Sequence, residues 1–134
     1  MKRHPTNEME IRKATLEDFP GIRKLIREYP DKLIQVHLPK PSEFFVAIEN
    51  GKIIGCCALE IYSKRLAEIR SLAVTKESQN RGIATKLVSA CMAAARKKKI
   101  YELLAIVESE KFLAKFGFHT FNKEKLALIN ILGN

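Results

Sequence analysis

Apolar and polar residues alternate in several short stretches of the chain, and stretches with helical spacing lie between them. The first alternation, Met9–Ala14, predicts a strand. Apolar residues then recur at helical spacing from Leu16 to Tyr29, with Thr15 or Asp18 as the helix cap. Asp31–Pro41 is ambiguous, and Pro39-Lys40-Pro41 within it indicates a loop.

The clearest local signal is a β-hairpin. Strands are predicted over Phe44–Ile48 and Lys52–Tyr62, with Asn50-Gly51 between them. This dipeptide suits a type I′ turn, because both central residues of that turn need positive φ. Ala67–Val74 predicts a further strand next along the chain.

The second half of the chain begins with a polar loop, Thr75–Arg81, and an amphipathic helix from Ile83 to Ala95. The remaining predicted elements are a strand at Leu103–Val107, a short helix at Ser109–Phe116 capped by Ser109, and strands at Phe118–Phe121 and Ala127–Leu132. This order predicts an α/β protein with a mixed sheet and helices on its faces, rather than a repeated βαβ array. We expect one domain over residues 1–134, with residues 1–8 as a flexible extension.

Cysteine spacing and hydropathy limit the possible metal sites, cell compartment and membrane association of the protein. The spacing of Cys56, Cys57 and Cys91 fits neither a disulfide framework nor a zinc site, so we expect no metal and a reduced, cytoplasmic location. No apolar run approaches the ~20 residues that a membrane-spanning helix needs. A membrane partner is therefore not expected.

The net charge of +9 favours anionic ligands, and phosphorylated cofactors, acidic substrates and nucleic acid all qualify. Nucleic acid is the weakest of these, because the chain lacks interleaved aromatic and basic residues and any reader motif. The densest basic run, Arg96–Lys99, complements the dipole at a helix C-terminus or contacts phosphate.

The loop Gln79-Asn80-Arg81-Gly82-Ile83-Ala84 is the strongest candidate for a ligand site. It connects a predicted strand to the first turn of a predicted helix, where backbone N–H groups have no partners within the helix. Gly82 allows a close approach of the backbone, and a diphosphate there meets several N–H groups and the positive end of the dipole. Arg81 is expected to add a mobile cation.

Three segments resemble the GNAT superfamily of N-acetyltransferases, and the resemblance covers Met9 to about Leu126. Ala67–Val74 looks like the family's fourth strand, Gln79–Leu87 is similar to its R/Q-x-x-G-x-G/A loop and helix, and Phe112–Phe118 is similar to its aromatic-x-x-K-x-G-F element. Ile11–Thr15 and the fourth-strand segment look most like the short amino-acid N-acetyltransferases, the relatives of the N-acetylglutamate synthase catalytic domain.

The resemblance implies a fold and a co-substrate. The fold is a mostly antiparallel sheet of about six to seven strands with about four helices. The co-substrate is acetyl-CoA, whose pantetheine arm is expected to pair with the backbone of Leu72, Ala73 and Val74. Its pyrophosphate is expected on the loop and helix start, at Gln79, Asn80, Arg81, Gly82, Ile83, Ala84 and Thr85.

Two residues of the fourth strand are candidates for the acceptor side. Glu68 matches the glutamate that some family members use as a base, and the alternative is an ion pair with Arg70 without proton transfer. Arg70 is suited to a carboxylate of the acceptor or to a structural ion pair. Period-2 alternation places both on one face with Leu72. Many relatives carry a tyrosine acid four residues before the glycine equivalent to Gly117, but here that residue is Leu113.

The expected activity is therefore acetyl transfer from acetyl-CoA to a small-molecule primary amine by direct attack, with glutamate or another amino acid as first choice. A polyamine, an aminoglycoside-like amine or a protein N-terminus stays open, and so does a homodimer. A different class, a non-catalytic acyl-CoA sensor, is suggested by the absent tyrosine and the short tail. A ping-pong acyl carrier at Cys56 or Cys57 is disfavoured by the resemblance.

Overall fold

A computed structural model describes residues 8–106, 111–120 and 127–132. Seven strands form one sheet in the order β1-β2-β3-β4-β5-β7-β6. The strands are β1 (Glu10–Lys13), β2 (Phe44–Glu49), β3 (Lys52–Ile61), β4 (Leu66–Val74), β5 (Glu102–Ile106), β6 (His119–Thr120) and β7 (Ala127–Ile131). Neighbouring strands are antiparallel except for the parallel pair β4 and β5. The expected mixed, mostly antiparallel sheet is confirmed.

Three α-helices lie in the described part of the chain, close to the predicted number: α1 (Phe19–Ile26), α2 (Ile83–Lys97) and α3 (Lys111–Ala114). Single 3₁₀ turns cover Leu16–Asp18, Pro41–Glu43 and Lys76–Ser78. The predicted cap Ser109 and the predicted strand ends Val107 and Phe121 fall outside the described residues. Residues 1–7 of the expected N-terminal extension do so as well.

Asp18 organises the start of α1. Its carboxylate accepts a hydrogen bond from the Thr15 backbone N–H at 2.7 Å and pairs with the Arg12 guanidinium at 2.7 and 3.1 Å. The Arg12 guanidinium, followed by the Thr15 backbone bond, lowers the pKa of Asp18 to about 2. Both predicted cap residues are therefore used, with Thr15 at the 3₁₀ turn and Asp18 at α1.

α1 ends at Ile26, earlier than the apolar spacing predicts, and the chain continues in turns. Gln35 closes this end, because its side-chain amide lies 3.0 Å from the carbonyl oxygens of Ile26 and Leu33 and 3.3 Å from that of Tyr29. These contacts add to backbone hydrogen bonds that the Ile26 and Tyr29 carbonyl oxygens already accept from the turns after the helix. The segment that follows α1 is thereby fixed against it.

The sheet has one core on each face. α1 packs over β3 and β4 on one face, and α2 packs over β2, β3 and β4 on the other. The α1-side core contains Ile22, Leu25, Ile26, Phe44, Val46, Cys56, Ala58 and Ala73. The larger α2-side core includes Cys57, Leu59, Ala67, Ile69, Val74, Ile83, Leu87, Val88, Cys91, Leu103 and Leu113.

A β-bulge at Ser71 interrupts β4. Ala58 of β3 pairs with Arg70 and Cys56 pairs with Ala73, so two β4 residues lie opposite one residue of β3. Ser71 has φ 55, a left-handed conformation that is uncommon for a residue other than glycine. The bulge reverses the alternation beyond it, so Leu72 packs against the α2-side core. The expectation that Leu72 shares a face with Glu68 and Arg70 was therefore wrong.

β4 and β5 separate partway along their length. Their parallel pairing covers only Leu66–Glu68 of β4 and Glu102–Leu104 of β5. From Ile69 onward, the β4 edge that faces β5 has no strand partner in the described part of the chain. The sheet therefore splits beside Glu68.

Candidate functional site

A cleft of about 630 Å³ lies where β4 has lost its partner and α2 begins. Arg81 is the one predicted donor-binding residue that does not line this cleft. The others do: Leu72, Ala73, Val74, Gln79, Asn80, Gly82, Ile83, Ala84 and Thr85. Its other lining residues are Tyr29, Lys32, Leu33, Ser78, Phe112 and Lys115. The cleft thus combines a free strand edge with a helix N-terminus.

The N-terminus of α2 is built to accept an anion. Gly82 precedes the first helical residue with φ 78, and Asn80 has φ 65, so the loop turns tightly into the helix. No side chain caps this end, and the first turn holds no acidic residue. The first backbone N–H groups of α2 are therefore available to phosphate oxygens at the positive end of the dipole.

Lys115 supplies the cation beside this helix start. Its ammonium lies 2.9 Å from Thr85 Oγ1, 4.5 Å from the centre of the Phe112 ring and 5.5 Å from that of Phe116. Two ring faces and a hydroxyl hold the charge in place. This lysine belongs to the aromatic-x-x-K-x-G-F element of the sequence, but it was not predicted as a binding residue.

Arg81 does not supply the mobile cation that was expected. Both of its terminal nitrogens bind the Glu49 carboxylate on β2, at 3.0 and 2.5 Å. This bidentate bond lowers the pKa of Glu49 and raises that of Arg81. Arg81 therefore fixes the loop to the β2–β3 hairpin, while its side chain is turned away from the cleft.

Tyr29 joins the cleft from the opposite side. Its hydroxyl donates to the Val74 carbonyl oxygen at 2.5 Å and accepts a hydrogen bond from the Gln79 amide at 2.7 Å. Burial raises the pKa of Tyr29, although the Gln79 bond acts against that shift. Sequence reasoning placed Tyr29 only on the apolar stripe of the first helix. Its partners could not be identified there, because they lie far along the chain.

The short helix α3 presents a phenylalanine, not an acid, to the cleft. Phe112 lines the cleft, whereas Leu113 is 3% exposed and packs in the α2-side core. The position where the resemblance places a tyrosine acid thus faces the core here. Neither Phe112 nor Leu113 can donate a proton to a leaving thiolate.

A polar cluster lies on the α1 face of the sheet, beside the point where β4 and β5 part. Glu60 of β3 and Glu68 of β4 are directly paired in the strand register, and the Tyr62 hydroxyl contacts both carboxylates. Arg70 binds Glu60 at 2.5 Å and reaches the His37 carbonyl oxygen at 3.4 Å. The predicted acceptor residues Glu68 and Arg70 are therefore brought together with two residues that were not predicted.

The partners within this cluster differ from those weighed in the sequence. Arg70 forms its ion pair with Glu60, and Glu68 is hydrogen-bonded to Tyr62 instead. Burial opposes the charge of the guanidinium, but the hydrogen bond and charge of Glu60 outweigh it and raise the pKa of Arg70. Arg70 remains a cation, and Glu68 has no arginine bound to it.

The cysteines are unsuited to carry an acyl group. All three are free and buried. Burial raises the pKa of Cys56 to about 12, so its thiolate form is negligible at neutral pH. Among residues 8–106, 111–120 and 127–132, no three His, Cys, Asp or Glu side chains form a possible metal site, and no helix has the length and hydropathy to cross a membrane.

Comparisons with known proteins agree with this geometry. The model of the Acetyltransferase (GNAT) family matches residues 9–118. An uncharacterised N-acetyltransferase of Chlorobaculum tepidum is 32% identical over 126 residues, which cover 90% of this chain and 81% of that protein. The amino-acid acetyltransferase of Mycobacterium tuberculosis is 30% identical over 116 residues, covering 81% of this chain and 67% of that one.

A solved structure extends the likeness to three dimensions. The N-acetylglutamate synthase of Neisseria gonorrhoeae, complexed with coenzyme A and N-acetyl-glutamate, superposes with a TM-score of 0.82 at 25% identity. The match covers 95% of this chain but only 36% of the synthase chain. The likeness therefore concerns one part of that larger protein.

Proposed function

Because the chain belongs to the GNAT acetyltransferase family and is an acetyl-CoA-dependent N-acetyltransferase, we propose that it acetylates the α-amine of an amino acid. The supporting observation is the position of Glu68. It lies at the point where β4 and β5 separate, four residues before Leu72, the first β4 residue that lines the cleft. One carboxylate is thus close to the end of the free strand edge.

The donor is acetyl-CoA, and the cleft divides its binding between two elements. The free edge of β4 from Leu72 to Val74 pairs with the pantetheine arm as an added strand would. The phosphates are held by the N–H groups that follow Gly82 and by the Lys115 ammonium. This arrangement directs the thioester along β4, toward Glu68.

Glu68 acts as the base. An amino acid arrives as an ammonium ion, which has no lone pair for attack. Glu68 takes one proton, directly or through a water, and the neutral amine attacks the thioester carbonyl of acetyl-CoA. As the C–N bond forms and the C–S bond breaks, the nitrogen releases a second proton to water, and water protonates the CoA thiolate. The products are the N-acetyl amino acid, CoA and the proton held by Glu68.

Arg70 supports an amino acid as the acceptor. Its ion pair with Glu60 uses one terminal nitrogen, and a guanidinium carries five N–H donors. The remaining donors suit an α-carboxylate next to the reacting amine. The names of the M. tuberculosis and N. gonorrhoeae relatives point to the same class of acceptor, and glutamate is therefore the first compound to test.

The leaving thiolate receives no proton from α3, because Phe112 and Leu113 occupy the relevant positions. We infer that water supplies this proton at the mouth of the cleft. Backbone N–H groups of the open β4 edge polarise the thioester carbonyl. This division of roles leaves Glu68 as the ionisable side chain on which the rate depends most.

The test is CoA release measured with glutamate, glutamine, lysine, spermidine and a short peptide with a free N-terminus. With an accepted amine, Glu68→Gln lowers kcat about a hundredfold or more, while Glu17→Gln, an exposed glutamate in the first 3₁₀ turn, leaves it unchanged. Acetyl-CoA binding without CoA release on any of these amines would support a sensor instead. Turnover on spermidine or the peptide alone would move the acceptor to another class.

A further inference from the structure

Tyr62 is an unexplained polar residue beside the proposed base. It directly follows β3, and its backbone N–H donates to the Leu66 carbonyl oxygen at 2.9 Å, which fixes it in the β3–β4 turn. Its side chain projects over the α1 face, where its hydroxyl meets Glu60 at 3.2 Å and Glu68 more closely. The residue is 51% exposed, so the ring is not a core residue.

The hydroxyl has one proton for two carboxylates. Glu60 already accepts a charge-assisted hydrogen bond from Arg70 at 2.5 Å. Glu68 is the nearer carboxylate and accepts no bond from a cation. The phenol proton therefore goes to Glu68. Burial, followed by the bond to Glu68, raises the pKa of Tyr62, which keeps the phenol a donor throughout the neutral range.

We propose that Tyr62 is a positioning residue for acetyl transfer, whose hydroxyl holds the Glu68 carboxylate in place to receive the acceptor's proton. A free glutamate side chain samples several rotamers, and a fixed donor restricts one carboxylate oxygen. The second oxygen is left to face the amine. This role rests on the proposed function, since it acts only through Glu68.

Other charged groups around the pair are held by partners of their own. The Glu60–Arg70 ion pair faces Tyr62 from β3 and β4, and His37 approaches through its backbone carbonyl. From β5, Glu102 is paired with Arg65 of the turn at 3.0 Å. A change at Tyr62 therefore acts first on Glu68, not on an unpaired neighbour.

Tyr62→Phe tests the proposal, because it removes the hydroxyl and keeps the ring. With the best amine of the panel above, kcat should fall about tenfold or more, the usual effect of losing a hydrogen bond to a charged group. The KM for acetyl-CoA should stay within about twofold. Tyr101→Phe is the matched control and should change none of these.

A double-mutant cycle separates this proposal from the function on which it rests. If Tyr62 acts through Glu68, adding Tyr62→Phe to Glu68→Gln changes the rate no further. Full activity of Glu68→Gln alone would refute the proposed base. A slow Glu68→Gln enzyme that loses another tenfold with Tyr62→Phe would refute the positioning role and leave the base intact.

A second measurement needs no activity. The pKa of Tyr62 can be measured from the pH dependence of the ¹³C signal of its phenol carbon in the folded protein. The signal is assigned by its disappearance in Tyr62→Phe. Glu68→Gln should lower the pKa of Tyr62, because a neighbouring negative charge is removed. An unchanged value would overturn the proposed hydrogen bond.

Discussion

The Gln79 amide nitrogen lies 2.7 Å from the Tyr29 hydroxyl, and the same hydroxyl donates to the carbonyl oxygen of Val74. One phenol thus connects the segment after α1 to the end of β4 and to the loop before α2. This bond organises the wall of the donor cleft before any ligand arrives.

Tyr29→Phe should weaken CoA binding about three- to tenfold, because Gln79 loses the partner that orders it and a hydrogen bond of this kind contributes about 1 kcal/mol. Isothermal titration with CoA measures the change, and kcat at saturating acetyl-CoA should be close to that of the wild type. Equal or tighter CoA binding would show that the hydroxyl does not organise the cleft.

Gly82→Ala and Gly51→Ala form a matched pair. Both glycines have positive φ, 78 and 74, and a Cβ added at either meets no atom within 4 Å. Each substitution should therefore cost about 1 kcal/mol of unfolding free energy from backbone strain. Only Gly82→Ala should also weaken CoA binding, because only Gly82 adjoins the helix start. Equal effects of both on CoA affinity would contradict the site.

Lys115→Met and Arg81→Met compare a cation that lines the cleft with one whose side chain is bound outside it. Lys115 faces it, so its loss should weaken CoA binding about tenfold at low salt, and less as salt screens the interaction. The Arg81 side chain is bound to Glu49, so Arg81→Met should change CoA affinity by less than about twofold while lowering stability. Reversed effects would mean that Arg81 leaves Glu49 to bind the ligand.

Much of this arrangement could be predicted from local sequence signals. Asn50-Gly51 marked the hairpin, and Gly82 marked the loop into α2, because positive φ restricts the choice of residue. The sequence has no comparable signal for the bulge at Ser71, since Ser71 is not a glycine and the bulge arises from pairing with β3. Alternation alone therefore misplaced Leu72.

Contacts between distant residues were beyond sequence reasoning for the same reason. Arg81 and Glu49 are 32 positions apart, and Gln79 and Tyr29 are 50 apart. Such pairs depend on how α1, the hairpin and the loop pack together. Glu60 and Tyr62 were not predicted as site residues, because their contacts with Arg70 and Glu68 form only when β3 pairs with β4.

The Arg12–Asp18 pair predicts a pH dependence of stability. The pKa of Asp18 is lowered to about 2 from 3.8. Because the pKa of Asp18 is lower in the folded protein than in the unfolded chain, the ion pair stabilises the fold fully above pH 3.8. This stabilisation is lost as the pH falls through about 2. Relative to Asp18→Asn, the wild type should be more stable by about 2 kcal/mol at pH 6, and the difference should fall below about 0.5 kcal/mol near pH 2. Urea unfolding across that range measures the difference, and a gap that stays near about 2 kcal/mol at pH 2 would rule out this origin.

The most direct test of the donor site is a ¹H–¹⁵N NMR titration of the protein with CoA. The account predicts that the largest shifts fall on the backbone amides of Val74 and Gly82–Thr85. A second cleft of about 510 Å³ lies between α1 and the β2–β3 turn and includes Gly21, Lys24 and Gly51. Shifts concentrated on those residues, with the amides of Gly82–Thr85 unchanged, would contradict the assignment of the α2 N-terminus as the acetyl-CoA site.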